Sequence, residues 1–159
     1  MCIRDSNIVD ASDAQSFSNF QLAVEFENVY FYYKKEDGTV VENINFKIPK
    51  GKTVALVGSS GAGKSTLADL LPRFYDVSEG AILLDGKDIR NIKLNDLRAQ
   101  MGIVSQEAIL FNESIFNNIA FGKKEVTEEQ VSAAAKIANA HEFIMETEQG
   151  YQTLSLIHI

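Results

Sequence analysis

The sequence predicts an α/β protein in which an antiparallel sheet precedes a core of alternating strands and helices. Residues from Leu22 to Ile48 alternate with period two around an Asp-Gly turn. Val54 to Val57 is apolar without a break and runs into a Gly-rich turn. The last part of the chain carries a capped, helix-spaced apolar pattern.

The bulk numbers set limits. A chain of 159 residues suits one domain of ordinary size, and 45% hydrophobic with 23% charged residues is a globular composition. Net charge is −7, which argues against nucleic acid as a partner, because phosphate backbones are held largely by Lys and Arg. No apolar run approaches the roughly 20 residues of a membrane helix, and the N-terminal stretch lacks the apolar core of a signal peptide. The single cysteine, Cys2, offers neither a disulfide framework nor a thiolate metal site and fits a reducing compartment. His141 and His158 are too few and too separated to suggest zinc.

The elements follow in order. Residues 7–21, NIVDASDAQSFSNFQ, read as a linker. Val24 and Phe26 then share one face of a strand, whereas Val29, Phe31 and Tyr33 share the other, so a bulge or bend lies between them. Asp37-Gly38 supplies a hairpin turn, and Ile44, Phe46 and Ile48 alternate again up to the turn at Pro49-Lys50-Gly51. TVALVG reads as a strand buried on both faces, followed by a Gly-rich turn and a helix from Gly63 to about Arg73. GAILLDG is a strand entering an Asp85-Gly86 turn, KLNDLRAQ a short helix, and MGIVS another buried strand. NESIFNNIAFG is a short helix with Ser114 near its N-cap. Thr127 and Gln130 form a capping box opening the last helix, on which Val131, Ala134, Ala135, Ala138 and Ile144 or Met145 line one face. His141, on that helix, reads as an ordinary helical residue.

GSSGAGKST, Gly58 to Thr66, fits the G-x-x-x-x-G-K-[ST] pattern of a phosphate-binding loop. Gly58, Gly61 and Gly63 let backbone turn tightly and approach phosphate oxygens, and the N–H groups of Ser59, Ser60, Ala62 and their neighbours can form an anion nest. The helix that follows offers its N-terminus, worth about half a positive charge. Lys64 brings a compact cation to the β- and γ-phosphates, and Ser65, followed by Thr66, offers a hard oxygen to Mg²⁺. A merely Gly-rich strand-to-helix turn is the plain alternative, and the Lys-Ser pair with these flanks disfavours it.

The surrounding residues decide which phosphate-loop protein this is. VEFENVYFYY, NINFKIPKGKTVALVGSSGAGKSTLADLLPRFYD, GAILLDGKDIR, LRAQMGIVSQEAILFNESIFNNIAFG and GYQT together resemble the nucleotide-binding domain of ABC transporters of the exporter type, such as lipid flippases and multidrug exporters. The resemblance covers residues 22–153. It implies a P-loop NTPase (RecA-like) core, incomplete here, with an N-terminal antiparallel β subdomain and part of a helical subdomain. It implies ATP and Mg²⁺ as cofactors. By the same resemblance Tyr33 is the aromatic residue that stacks on adenine, with Tyr32 as the neighbouring candidate. Gln106 is the Q-loop glutamine, a Mg²⁺ ligand that senses the γ-phosphate and acts catalytically beside Lys64. Leu110 and Phe111 either line the groove that receives coupling helices of a transmembrane domain or pack in the core. A second nucleotide-binding domain would pair head-to-tail, at the cytoplasmic face of the membrane.

The family's LSGGQ signature, its Mg²⁺-holding Asp with the following Glu, and its switch His are not in this sequence. These 159 residues are therefore expected to bind nucleotide weakly without hydrolysing it, whereas an intact parent would be an ATPase. Alternatives are a soluble ABC protein or a non-hydrolytic binding module. Met1 to Asp5 can be encoded by ATG TGT ATA AGA GAC, followed by AG. The reverse complement of that element reads Leu-Ser-Leu-Ile-His, as at residues 154–158. The two ends thus resemble one transposon-derived sequencing adapter read in opposite directions, so residues 1–6 and 154–159 are expected to be adapter translation; other codons in the DNA would refute this.

Overall fold

The computed structural model describes residues 8–104, 109–123 and 125–155. It divides into two compact units, Met1–Ile103 and Val104–Ile159.

The first unit is built on a four-stranded sheet of order β2-β1-β3-β4, formed by β1 (Ala23–Phe31), β2 (Val41–Pro49), β3 (Glu79–Leu84) and β4 (Lys87–Asp88). Every pairing is antiparallel. β1 and β2 are joined by a 3-10 turn at Lys35–Asp37 with Gly38 at φ +81°, where the Asp-Gly pair predicts a turn. The expected change of face in β1 is a bulge: the register slips between Phe26 and Val29, and Asn28 adopts φ +47°. The extra residue turns Phe26, Val29 and Phe31 into the same core. Phe26 faces Phe46 across the β1–β2 pair, and the rings stack at 4.4 Å.

Helix α1 (Lys64–Leu70) adds Leu67 and Leu70 to that core. It ends sooner than the expected Arg73: Leu71 still has helical backbone, but Pro72 has no N–H to donate to the preceding turn, and Arg73 follows at φ +53°. Arg73 is buried, and its guanidinium grips Asp76 with two bonds, at 2.8 and 3.0 Å. Helix α2 (Leu94–Ala99) contributes Leu97 to the core, and its Arg98 donates to the carbonyls of Pro72 and Arg73.

The stretch read as a linker is tied down along this unit. The Phe17 side chain is buried in the core, and its N–H donates to Asp96 at 3.0 Å. Gln15 bridges to Ile92, and Asp10 accepts the Leu94 N–H at 2.7 Å. At the entry to β1, the Asp85 carboxylate accepts the N–H groups of Gln21, Leu22 and Ala23.

Two sequence expectations are corrected. Val54–Val57, expected as a doubly buried strand, is not a strand, and Val57 is 92% exposed. The described part of MGIVS is not a strand either, with Val104 98% exposed. A parallel strand exists only through hydrogen bonds to neighbouring strands and cover on both faces. Among the described residues no strand lies beside either segment.

The second unit is helical. Helix α3 (Ile115–Ala120) is capped by Ser114, which accepts the Asn117 N–H at 3.1 Å. Helix α4 (Glu128–Ile137) opens with the expected Thr127–Gln130 capping box. The expected single last helix is two: Asn139, at φ +56°, separates α4 from α5 (His141–Met145). Val131, Ala135 and Ile144 are buried, but Ala134, Ala138 and Met145 are exposed, so the buried stripe is narrower than the predicted face. His141 bonds through Nδ1 to the Tyr151 hydroxyl at 2.8 Å. Leu154 bridges to Ser114, and the Ser155 N–H donates to Glu113.

Candidate functional site

Gly58 to Thr66 forms a loop running into α1, and most of it is exposed. Gly63 caps the helix in the left-handed conformation, φ +78°. A Cβ there would lie 2.8 Å from the Val40 carbonyl oxygen, so the close approach of loop to β2 admits only glycine. Gly61, also at positive φ, faces open space, which leaves room beside the backbone for a ligand.

Lys64 folds back over the loop. Its ammonium donates to the Gly58 and Ser59 carbonyls at 3.0 and 2.7 Å. The cation therefore stands on the same loop as the backbone it would share with a phosphate. Ser65 is exposed at the first turn of α1, whereas Thr66 is buried.

Tyr33 lies just past the end of β1, and its hydroxyl shares a hydrogen bond with Thr66 Oγ1 at 2.9 Å. The ring meets Phe31 and Tyr75 edge-to-face, at 4.9 and 5.1 Å. Tyr33, Val40 and Gly61 to Thr66 line one cavity of about 280 Å³. Tyr32 does not line it; its N–H donates to the Ser78 hydroxyl. The structure thus brings Tyr33, Gly61, Ala62, Gly63, Lys64, Ser65 and Thr66 together, with Gly58 and Ser59 under the Lys64 ammonium. Gln106 lies outside the described residues. Val40 escaped the sequence reading, because an apolar residue before a strand carries no sign of a close contact with a loop 23 residues on.

The residue types fit a nucleotide and a hard cation. Among the described residues no three His, Cys, Asp or Glu side chains converge, so a divalent ion here would draw on phosphate oxygens, water and Ser65. That donor set suits Mg²⁺, which keeps several waters and takes few protein ligands.

On the second unit Phe111 stacks on Phe121 at 4.4 Å. Both rings are exposed, as are Ile109 and Leu110, so the described part of this stretch presents apolar surface rather than core. Phe111, Asn117 and Phe121 help line a cavity of about 440 Å³.

The ABC transporter family model matches residues 41–156, most of the sequence and all of the loop. The chain belongs to the ABC transporter family. This ABC chain is 49% identical over 144 residues to a Bacillus subtilis (strain 168) protein provisionally named multidrug export ATP-binding/permease protein YgaD, covering 91% of the chain and 25% of that protein. It is 47% identical over 148 residues to the ATP-dependent lipid A-core flippase of Syntrophus aciditrophicus (strain SB), covering 93% of the chain and 24% of the flippase. A solved bacterial Atm1-family ABC exporter with ATP bound superposes with a TM-score of 0.87 at 44% identity, over 92% of this chain and 26% of that one. The ABC chain spans about a quarter of the length of these relatives. Its fold is that of the ABC ATPases, with the antiparallel sheet and helices described above. No helix among the described residues is long and apolar enough to cross a membrane.

Proposed function

We propose that residues 22–153 are the ATP-holding part of an ABC exporter's nucleotide-binding domain, joined through residues 7–21 to a transmembrane domain. One observation carries this reading: Tyr33 and the Gly61–Thr66 loop line a single cavity, which thus has both an aromatic side chain and a cation-bearing loop in its wall. Adenine would stack on Tyr33, a contact worth roughly 1–3 kcal/mol in nucleic-acid systems. Loop amides and Lys64 would hold the phosphates, and Ser65 with Gln106 would hold Mg²⁺. Bound Mg²⁺ would neutralise charge on the phosphates of the nucleotide. Gln106 would link nucleotide state to the membrane domain.

The names of the relatives support export, and the apolar surface at Ile109 to Phe111 and Phe121 suits coupling helices of that domain. A second nucleotide-binding domain would pair head-to-tail, on the cytoplasmic side of the membrane. A net charge of −7 disfavours nucleic acid as a partner. Without the signature and the hydrolytic carboxylates, the 159 residues bind nucleotide weakly and do not turn it over.

Titration with MgATP, together with an assay of phosphate release, tests both parts. Saturable binding with phosphate release at the buffer rate is expected. No binding would overturn the assignment, and turnover would overturn the claim that these residues only hold the nucleotide.

A further inference from the structure

We propose that Thr66 is a positioning residue for the nucleobase, its hydroxyl fixing the Tyr33 ring as the surface on which the base stacks. The proposal rests on the nucleotide-binding reading above.

Tyr33 lies beyond the last residue of β1, where no ladder hydrogen bond holds the chain. A tyrosine in such a bend loses rotamer entropy if it must be ordered by its ligand. Here it is ordered beforehand, from three sides. Phe31, at the end of β1, and Tyr75, after α1, meet it edge-to-face with interplanar angles of 85° and 87°. The third contact is polar: a 2.9 Å hydrogen bond to Thr66 Oγ1. The partners differ in burial, since Thr66 is buried while Tyr33 remains 49% exposed. The hydroxyl tip is anchored inside, and much of the side chain stays open to the cavity. Aromatic bodies with an anchored polar tip are well suited to that division.

Two consequences follow. A phenylalanine at position 33 could stack equally well but would lack the anchor, which accounts for the hydroxyl. The anchor sits on the residue that follows Lys64 and Ser65, so the base platform is referenced to the same turn of α1 that carries the phosphate-binding side chains. Base and phosphate recognition are thereby held in one register by one side-chain bond.

The test compares MgATP with magnesium tripolyphosphate, which lacks base and sugar, on the 159-residue chain. Tyr33→Phe and Thr66→Val should each weaken MgATP by about 3- to 10-fold, the loss of one ordinary hydrogen bond. The double variant should bind no worse than either single one, because both remove the same bond. Thr66→Ser should restore wild-type affinity, Tyr33→Phe should leave tripolyphosphate binding unaltered, and Thr66→Val should weaken MgATP more than tripolyphosphate. Additive losses would overturn the proposal. So would equal weakening of both ligands by Thr66→Val, which would place Thr66 on the phosphates instead. Wild-type protein that binds neither ligand would remove the nucleotide reading itself, and this proposal with it.

Discussion

The Lys64 ammonium lies 2.7 Å from the Ser59 carbonyl oxygen, with the Gly58 carbonyl at 3.0 Å, so the loop's only cation is satisfied by the loop's own backbone. Neutral carbonyl dipoles hold it there, and a triphosphate offers full negative charge in their place. The ammonium's bonds to the carbonyls are already charge-assisted, and a phosphate adds charge–charge attraction to them. Lys64→Ala is expected to lower MgATP affinity on the order of 100-fold, read by calorimetric titration. Unchanged affinity would remove the phosphate-loop assignment.

Gly80 meets β1 at its bulge. A Cβ at position 80 would fall on the carbonyl oxygens of Glu27 and Asn28, and its φ of +78° already disfavours any L side chain. The obstruction is backbone, which cannot swing away. Gly80→Ala is expected to disrupt the β1–β3 pairing and leave the first unit without a cooperative unfolding transition in urea. A variant melting within about 1 kcal/mol of wild type, the cost of handedness alone, would show that the bulge can rearrange.

The parts of this fold that were legible in the sequence are those fixed by near neighbours. Ser114 and Thr127 cap helices through residues three positions on, and Asp37-Gly38 turns the chain where it stands. The change of face between Phe26 and Val29 foretold a bulge, because period-two alternation cannot otherwise bury both residues in one core. What failed depended on distant partners. Val54–Val57 has a buried strand's composition, but composition does not supply the neighbouring strand. Phe17 stands in a polar stretch, and nothing local marks it as core. In the site, the loop was legible from its spacing, whereas the Tyr33–Thr66 bond joins residues 33 positions apart and could not be read from either.

Asp85 should give the first unit a recognisable acid limb. Burial opposes its ionisation, yet the N–H groups of Gln21, Leu22 and Ala23, with the Lys50 charge, outweigh that and hold its pKa below the ordinary aspartate value. A folded pKa below the unfolded one contributes stability that is present above the unfolded value of about 3.9 and lost as pH falls through the folded value. Asp85→Asn is expected to cost on the order of 1 kcal/mol at pH 7, the carboxylate being well solvated. Urea titrations of both proteins at descending pH should converge as pH falls through the folded value, once the wild-type carboxyl is protonated too. A gap that stays constant with pH would assign the loss to shape and not to charge.

Phe17 tests whether the segment before β1 moves with the first unit. Its ring is buried among the core residues of the sheet, its N–H is bound to Asp96, and Gln15 bridges to Ile92 beside α2. A connection held at that many points transmits displacement to α2, where a loose tether would absorb it. Phe17→Ala should cost about 3 kcal/mol if the cavity does not collapse. Hydrogen exchange should show protection lost together in residues 10–22 and in α2, with β1 and β3 still slow to exchange. Protection lost in residues 10–22 alone would mean that the segment lies on α2 without holding it, and that the two can part without consequence for the helix.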